Sequence, residues 1–264
     1  MNDEQKSQYE TEGYVIVDDA VDPAMLEPLL AAAKRVKAKA RSGEVDLFTH
    51  CTPNGEVMMV RGLFAPEFNE PIFADYLLSD PVMRYVEPVL GSELRMGDVL
   101  LFSSPNEVDH TGGWHRDFGK NPRDGSPEVE MEILNRPKNG LKWHLALVDD
   151  SRLQLVPGSH ARYRTDEERE CLVNGSKADI SAQKVIHLKA GQTIFWDGNT
   201  VHRGIYHVEP ERMTLAANWR KHTEGEEPAE TDERVKWLLA DSVRDFLPKK
   251  MHIHYDRWRA LQLG

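Results

Sequence analysis

The chain is poor in cysteine, with only Cys51 and Cys171 among 264 residues and no CxxC pair. That excludes a disulfide-built scaffold and a thiolate zinc site, leaving one bridge at most. Long apolar runs are lacking too, and none approaches the roughly 20 residues that a membrane-spanning helix needs. Positive charge is in deficit, with 33 Lys and Arg against 44 Asp and Glu and a formal net charge of −11. A surface that tracks phosphates needs clustered, uncompensated cations, so no nucleic-acid partner is expected, and no membrane partner either. The first thirteen residues are polar from the start, without the basic-then-apolar order of a secretory signal, so the expected location is cytoplasmic and reducing. Internal repeats and low-complexity tracts are absent. What the chain does have is 40% hydrophobic residues, enough for a sizeable core, and 11 histidines.

Asp22-Pro23 reads as a helix start, an acidic N-cap followed by proline at the first helical position. Met25, Leu26, Leu29, Leu30, Ala33 and Val36 then recur at helical spacing and predict an amphipathic helix over 23–41. Tyr14 to Val17 is a short apolar strand ahead of it. From residue 94 the pattern changes to short β-type runs, predicted at 94–103, 112–118, 141–149, 153–156, 184–188, 193–196, 200–206 and 212–220. Turns fall at Pro157-Gly158-Ser159, Ala190-Gly191 and Asp197-Gly198-Asn199. Many short strands at close intervals predict a mainly β fold with flanking helices, a sandwich, jelly roll or barrel rather than a parallel α/β sheet. Residues 119–140 are the longest interruption, a lid or loop with one short element, strand or helix, at 129–134. After a polar break at 226–230, Val235, Leu238, Leu239, Ser242 and Phe246 predict a terminal helix. One domain over 1–264 is expected, with a helical cover at 1–45, a core at about 94–220 and a helical extension at 230–264.

Within the predicted strand 112–118, His115 and Asp117 are two residues apart and therefore share a face. One more histidine would complete a two-histidine, one-carboxylate facial triad, whose open positions suit non-haem Fe(II). The plain alternative is a solvated strand carrying a surface ion pair. Downstream, residues 189–204 read as strand, tight turn and strand, with His202 just past the turn and Arg212 ten residues further on.

Taken in order, Glu12-Gly13-Tyr14-Val15-Ile16-Val17, Trp114-His115-Arg116-Asp117, Leu155-Val156-Pro157-Gly158-Ser159-His160, Ala190-Gly191-Gln192 and Val201-His202-Arg203-Gly204 form a recognisable set. From about Tyr9 to Arg220 the sequence resembles the phytanoyl-CoA dioxygenase branch of the Fe(II)/2-oxoglutarate-dependent oxygenases. The resemblance implies a double-stranded β-helix, a cupin-like jelly roll with the metal between its two sheets. It implies that His115, Asp117 and His202 bind iron and that Arg212 holds the distal carboxylate of 2-oxoglutarate. A guanidinium suits that task because its fork is permanently charged and meets a carboxylate bidentately. Thr214, Ala216 and Asn218 share the strand face of Arg212 and leave room for the cosubstrate. Trp143 matches a cosubstrate-lining tryptophan of some members or is simply a core aromatic, and Val99 falls where another strand residue meets the cosubstrate. Gly204 stands where several members place a serine. Asp117 is retained, whereas related halogenases lack this carboxylate, so halogenation is disfavoured.

The reaction so implied is hydroxylation of a small organic molecule, with 2-oxoglutarate and O2 converted to succinate and CO2. Its rivals are a cupin-like metalloenzyme without 2-oxoglutarate and a non-catalytic jelly-roll ligand-binding protein; Arg212 argues against the first and the triad against the second. His144, His160 and His187 read as structural or surface histidines. Candidate substrate contacts are Arg61, Trp114, Phe118, Arg123, Arg136, Trp196 and Asn218, whose arginines would suit a carboxylated or phosphorylated substrate. The oligomeric state is left open.

Overall fold

The computed structural model of the protein describes residues 1–45, 49–117, 125–226 and 233–263. Helix α1 (Asp3–Glu12) opens with a capping box between Asn2 and Gln5 and ends at Gly13, whose φ of 81° only glycine adopts without strain. A Cβ there would also stand 2.6 Å from Nδ1 of His160. Strand β1 (Tyr14–Val17) follows, then α2 (Pro23–Ser42), whose N-cap Asp22 accepts from the amide of Ala24. Leu29, Ala32, Ala33 and Val36 are its buried face. The sequence patterning leaves the next fifty residues unassigned; they form β2 (Thr49–Cys51), β3 (Val57–Val60), α3 (Ile72–Leu77) and α4 (Asp80–Leu90).

The core strands are β4 (Leu94–Ser103), β5 (His110–Thr111), β6 (Gly140–Ala146), β7 (Asp150–Leu155), β8 (Lys184–Leu188), β9 (Thr193–Trp196), β10 (His202–Tyr206) and β11 (Met213–Lys221). Helix α5 (Pro127–Leu134) turns the short element expected at 129–134 into a helix, and α6 (Asp166–Leu172) lies between β7 and β8. The C-terminal region is two helices, α7 (Asp241–Phe246) and α8 (His252–Leu263), with a 3₁₀ turn at Glu233–Leu239 ahead of them. No helix among the described residues is long and apolar enough to cross a membrane.

The strands make two antiparallel sheets, one of seven in the order β1-β9-β6-β11-β4-β3-β2 and one of four in the order β5-β10-β7-β8. This mainly β, jelly-roll architecture is the one the short strands predict. The segment predicted as a strand at 112–118 is a correction: among its described residues, 112–117, only His115 forms a strand bridge, an isolated one to His202, because two glycines precede Trp114 and the ladder stops at Thr111. The outer face of the large sheet packs on α2, α3, α4 and α8 in one apolar cluster that includes Val99, Leu145, Trp143, Leu215 and Trp219. A smaller cluster of Tyr14, Leu153, Leu155, Ile186, Ile194 and Trp196 lies on the inner face.

Between Met96 and Val99 the pairing of β4 with β11 shifts by one residue. Such a bulge exchanges the faces on which the following side chains point. Leu94 and Met96 face the helices before it, and Val99 and Leu101 do so after it. Gly97 permits the close approach, since a Cβ at that position would lie 2.0 Å from the carbonyl oxygen of Asn218.

Candidate metal centre and cosubstrate pocket

A cavity of about 850 Å³ opens between the sheets. His115 and His202 face each other across the end of β10, their amides and carbonyls exchanging hydrogen bonds of 2.9 and 3.0 Å. Opposed residues in an antiparallel pair present their side chains on one face, and the two imidazole centroids are 4.1 Å apart. Asp117 is held beside them by its amide, which donates to the carbonyl of Gly198 at 2.8 Å. Gly198 must lack a side chain, because a Cβ would meet Oδ2 of Asp117 at 2.8 Å. Oδ1 of Asp117 is 3.8 Å from Nε2 of both histidines, and one donor atom from each residue lies within 4.8 Å of the others.

The donor set has the chemistry of a metal centre. Nδ1 of His115 is 3.0 Å from the carbonyl of Gly113, and Nδ1 of His202 is 2.8 Å from that of Thr200. A proton on each Nδ1 satisfies those carbonyls and leaves the Nε2 lone pairs directed at Asp117, the tautomer that metal-bound histidines adopt. Burial, followed by the neighbouring His115, pushes the His202 pKa well below the ordinary value, so the ring is neutral and able to ligate. Burial works against ionisation of Asp117, but the ammonium of Lys142, followed by His202 and His115, outweighs it and holds the carboxyl well below the usual carboxylate range. Two imidazoles and one carboxylate on one side, with the cavity on the other, form a half-open oxygen- and nitrogen-donor site that suits Fe(II).

Lys142 is the residue that sequence reasoning missed. It comes from β6, and its Nζ is 2.5 Å from Oδ2 of Asp117 and 3.7 Å from the centroid of the Trp196 ring. One carboxylate oxygen is thereby engaged by the ammonium while Oδ1 stays turned toward the histidines. Trp196 supports both groups, its ring lying 4.3 Å from that of His202 in an edge-on contact.

Arg212, just before β11, is 2% exposed and lines the same cavity. Its Nε donates to Oδ2 of Asp150 at 3.1 Å, and Thr214 donates to the same oxygen at 2.5 Å. The guanidinium is further sandwiched near the rings of Phe102 and Tyr206, at 4.8 and 5.4 Å. Its Nη1 is buried with no partner among the described residues. A buried cationic N–H without an acceptor is costly, and a dicarboxylate entering the cavity would supply that acceptor. The cosubstrate 2-oxoglutarate therefore fits the residues present. Gly204 lines the cavity here, and the ring of Tyr206 fills the space a side chain on it would need, with ring atoms 3.1 Å from an added Cβ.

The other expected site residues divide by the face on which they point. Arg61, Arg136, Trp196, Ala216 and Asn218 line the cavity. Trp143 and Val99 do not: both are fully buried on the helix-facing side, where the indole of Trp143 donates to the hydroxyl of Tyr76 at 2.9 Å. On β6 the cavity face belongs to Lys142 and His144, and on β4 the bulge gives it to Asp98 and Leu100. Trp114 is a second correction, since it alternates with His115 and points into a satellite cluster, its indole donating to Ala178 at 2.9 Å. Phe118 and Arg123 lie outside the described residues. Of the histidines expected to be structural, His160 is buried against the carbonyl of Glu10 and His187 is exposed, but His144 lines the cavity. Burial, and then the charge of Arg212, push its pKa well below the ordinary value, so a neutral imidazole stands on the cavity wall. The signal for His144 and Lys142 was present in the sequence as the alternation partner of Trp143.

Residues 9–206 match the model of the phytanoyl-CoA dioxygenase (PhyH) family. No curated protein sequence matches the chain. Among solved structures the fold is similar to that of EctD from S. alaskensis with 2-oxoglutarate and 5-hydroxyectoine, with TM-score 0.64 and 19% identity, covering 84% of this chain and 77% of that one. It is similar to HygX from Streptomyces hygroscopicus with nickel and 2-oxoglutarate bound, with TM-score 0.58 and 16% identity over 88% of this chain and 91% of that one. It is also similar to SnoN, a non-heme alpha ketoglutarate dependent epimerase from nogalamycin biosynthesis, with TM-score 0.54 and 21% identity over 83% and 80% of the two chains. At these identities the likeness is one of fold.

Proposed function

The chain belongs to the phytanoyl-CoA dioxygenase family, and from that premise we propose that this Fe(II)/2-oxoglutarate-dependent oxygenase hydroxylates a small molecule held beside His115, Asp117 and His202. In this reading those three residues are the iron ligands and Arg212 anchors the distal carboxylate of 2-oxoglutarate. The observation that carries it is the pairing, in one cavity, of an open three-donor cluster with a buried arginine that lacks an acceptor. His115, Asp117 and His202 would hold Fe(II), which would supply the redox chemistry that couples conversion of 2-oxoglutarate and O2 to succinate and CO2 with hydroxylation of a substrate C–H bond.

The chain's own residues prepare that chemistry. Backbone carbonyls of Gly113 and Thr200 fix the tautomers of the two histidines. Lys142 keeps Asp117 ionised and turned. Asp150 and Thr214 fix Arg212, so that its free N–H meets a carboxylate without first having to be ordered. Phe102, Leu100 and Trp196 give the cavity apolar wall beside the reacting groups. Both cysteines are unbridged, which accords with a reducing, cytoplasmic setting.

The test is succinate release from purified protein supplied with Fe(II), 2-oxoglutarate and O2, together with iron content measured directly. Replacing Asp117 by alanine is expected to abolish iron retention and to lower succinate formation by about 10³-fold, since a first-sphere ligand and its charge are both lost. Turnover like that of the wild type in this variant would remove the iron assignment.

A further inference from the structure

Six Lys and Arg side chains line the cavity against three carboxylates, Asp98, Asp117 and Asp197, in a chain whose formal net charge is −11. Five of the six have an acid of their own. Arg61 is 3.2 Å from Asp98, Arg136 3.1 Å from Glu132, Lys142 2.5 Å from Asp117 and Arg212 3.1 Å from Asp150, while Lys138 pairs with Asp197. The sixth, Arg220, has no carboxylate within ion-pair distance among the described residues. Its one hydrogen bond goes to a neutral acceptor, Oδ1 of Asn139 at 3.1 Å. Its side chain crosses Gly140, where an added Cβ would stand 3.6 Å from Nη1.

Arg220 and Arg212 belong to the same face of one strand. On β11 that face carries Arg212, Thr214, Ala216, Asn218 and Arg220 in alternation, while Met213, Leu215, Ala217 and Trp219 face the helices. The register with β6 places Ala216 opposite His144, Asn218 opposite Lys142 and Arg220 opposite Gly140. Lys142 reaches Asp117, so the three-donor cluster stands over the middle of this face, with one arginine toward each end. The two lie eight residues apart, about 26 Å along the backbone, and long side chains shorten the gap between their charged tips. Arg212 lies on the cosubstrate side of the centre. Arg220 lies toward the other end of that face, hydrogen-bonded to Asn139 and two residues from Asn218 on the same strand.

We propose that Arg220 docks an oxyanion of the substrate, so that the enzyme acts on small molecules bearing a carboxylate or a phosphate. The proposal rests on the reading of the site given above. A guanidinium that lines the cavity with only a neutral hydrogen-bond partner keeps its fork available, and a bidentate oxyanion would satisfy it. Such an anchor fixes one end of the substrate while the C–H bond to be attacked lies nearer the metal. It also disfavours uncharged analogues, which would leave the cationic surplus of the cavity unanswered.

The experiment is isothermal titration of the anaerobic enzyme loaded with Fe(II) and 2-oxoglutarate, using inorganic phosphate, benzoate and neutral benzamide as probes. Wild-type enzyme is expected to bind phosphate or benzoate at least tenfold more tightly than benzamide, and which of the two anions binds identifies phosphate or carboxylate as the docked group. Arg220→Gln is expected to lose that preference by tenfold or more, and Arg220→Lys to keep part of it. Absence of anion binding by the wild type, or equal binding by wild type and Arg220→Gln, would overturn the proposal. Titration of 2-oxoglutarate into enzyme loaded with Fe(II) alone separates the two levels: Arg220→Gln should still bind it through Arg212, which also shows the variant is folded. Failure of the wild type to bind 2-oxoglutarate would instead strike the underlying reading.

Discussion

The two faces of the seven-stranded sheet are made by the same strands and obey different rules. Toward the helices, β6 and β11 present Leu141, Trp143, Leu145, Met213, Leu215 and Trp219, all buried, with the Trp143 and Trp219 indoles each given one hydrogen-bond acceptor. Toward the other sheet the alternate residues are Lys142, His144, Thr214, Ala216 and Asn218. The helix side is closed and apolar, so its residues contribute packing. The cavity side is charged, five of its six cations are paired with acids, and the buried N–H of Arg212 is left for something that enters. A strand therefore separates stability from chemistry at a spacing of one residue, and an error of one position in register exchanges the two.

Four substitutions would break or sharpen that contrast. The largest effect belongs to the closed face. Trp143→Ala should cost about 3–5 kcal/mol of stability through the cavity it leaves, while the folded fraction keeps its 2-oxoglutarate affinity. Urea unfolding and cosubstrate titration measure the two quantities, and normal stability with weakened cosubstrate would return Trp143 to the site. Next is Arg212→Met, which keeps much of the packing and should weaken 2-oxoglutarate about 100-fold with iron retained. Unchanged affinity would count against the anchor. Lys142→Met frees Oδ2 of Asp117 and should lower iron affinity or turnover by about tenfold, the usual scale for a group that orients a metal ligand. A wild-type iron titration would make Lys142 a solvated bystander.

The smallest effect concerns acid. The folded pKa of His144 is depressed by burial and by Arg212, whereas in the unfolded chain it returns to the ordinary value near 6.5. Below that value the unfolded state takes up a proton that the folded state refuses, so stability falls as pH falls, by about 1.4 kcal/mol per pH unit for each such histidine. In metal-free protein, His144→Asn should flatten the decline between pH 6.5 and 5 by roughly one proton's worth. An unaltered slope would show that His144 is protonated in the fold.

Much of this was legible in the chain. The limits of β4, β8 and β9 follow from apolar runs bounded by turn residues, and α2 from its Asp-Pro start and helical spacing. His115, Asp117, His202 and Arg212 were singled out by spacing and by a family resemblance, and the fold brings all four to one cavity. The misplacements have a common cause. Val99, which the family resemblance placed against the cosubstrate, faces the helices because the extra residue in β4, next to Gly97, reverses the alternation, and a bulge leaves no reliable mark in a single strand's pattern. Of the two readings open for Trp143, cosubstrate-lining tryptophan or core aromatic, the fold gives the second, and Trp114, a candidate substrate contact, also turns away; each alternates with a residue that does line the cavity.

The sequence by itself determined α2, most of the core strands and which residue types could form a half-open iron site, because periodicity, capping and donor chemistry are properties of neighbouring residues. Only the tertiary structure decided that Lys142 engages Asp117 across 25 positions, that His144 turns inward, and that Arg220 is left with a neutral partner while the other cavity cations are paired. Those outcomes depend on strand register, on one bulge and on which charges meet across the cavity. Such relations exist only once distant segments are held at hydrogen-bonding distance.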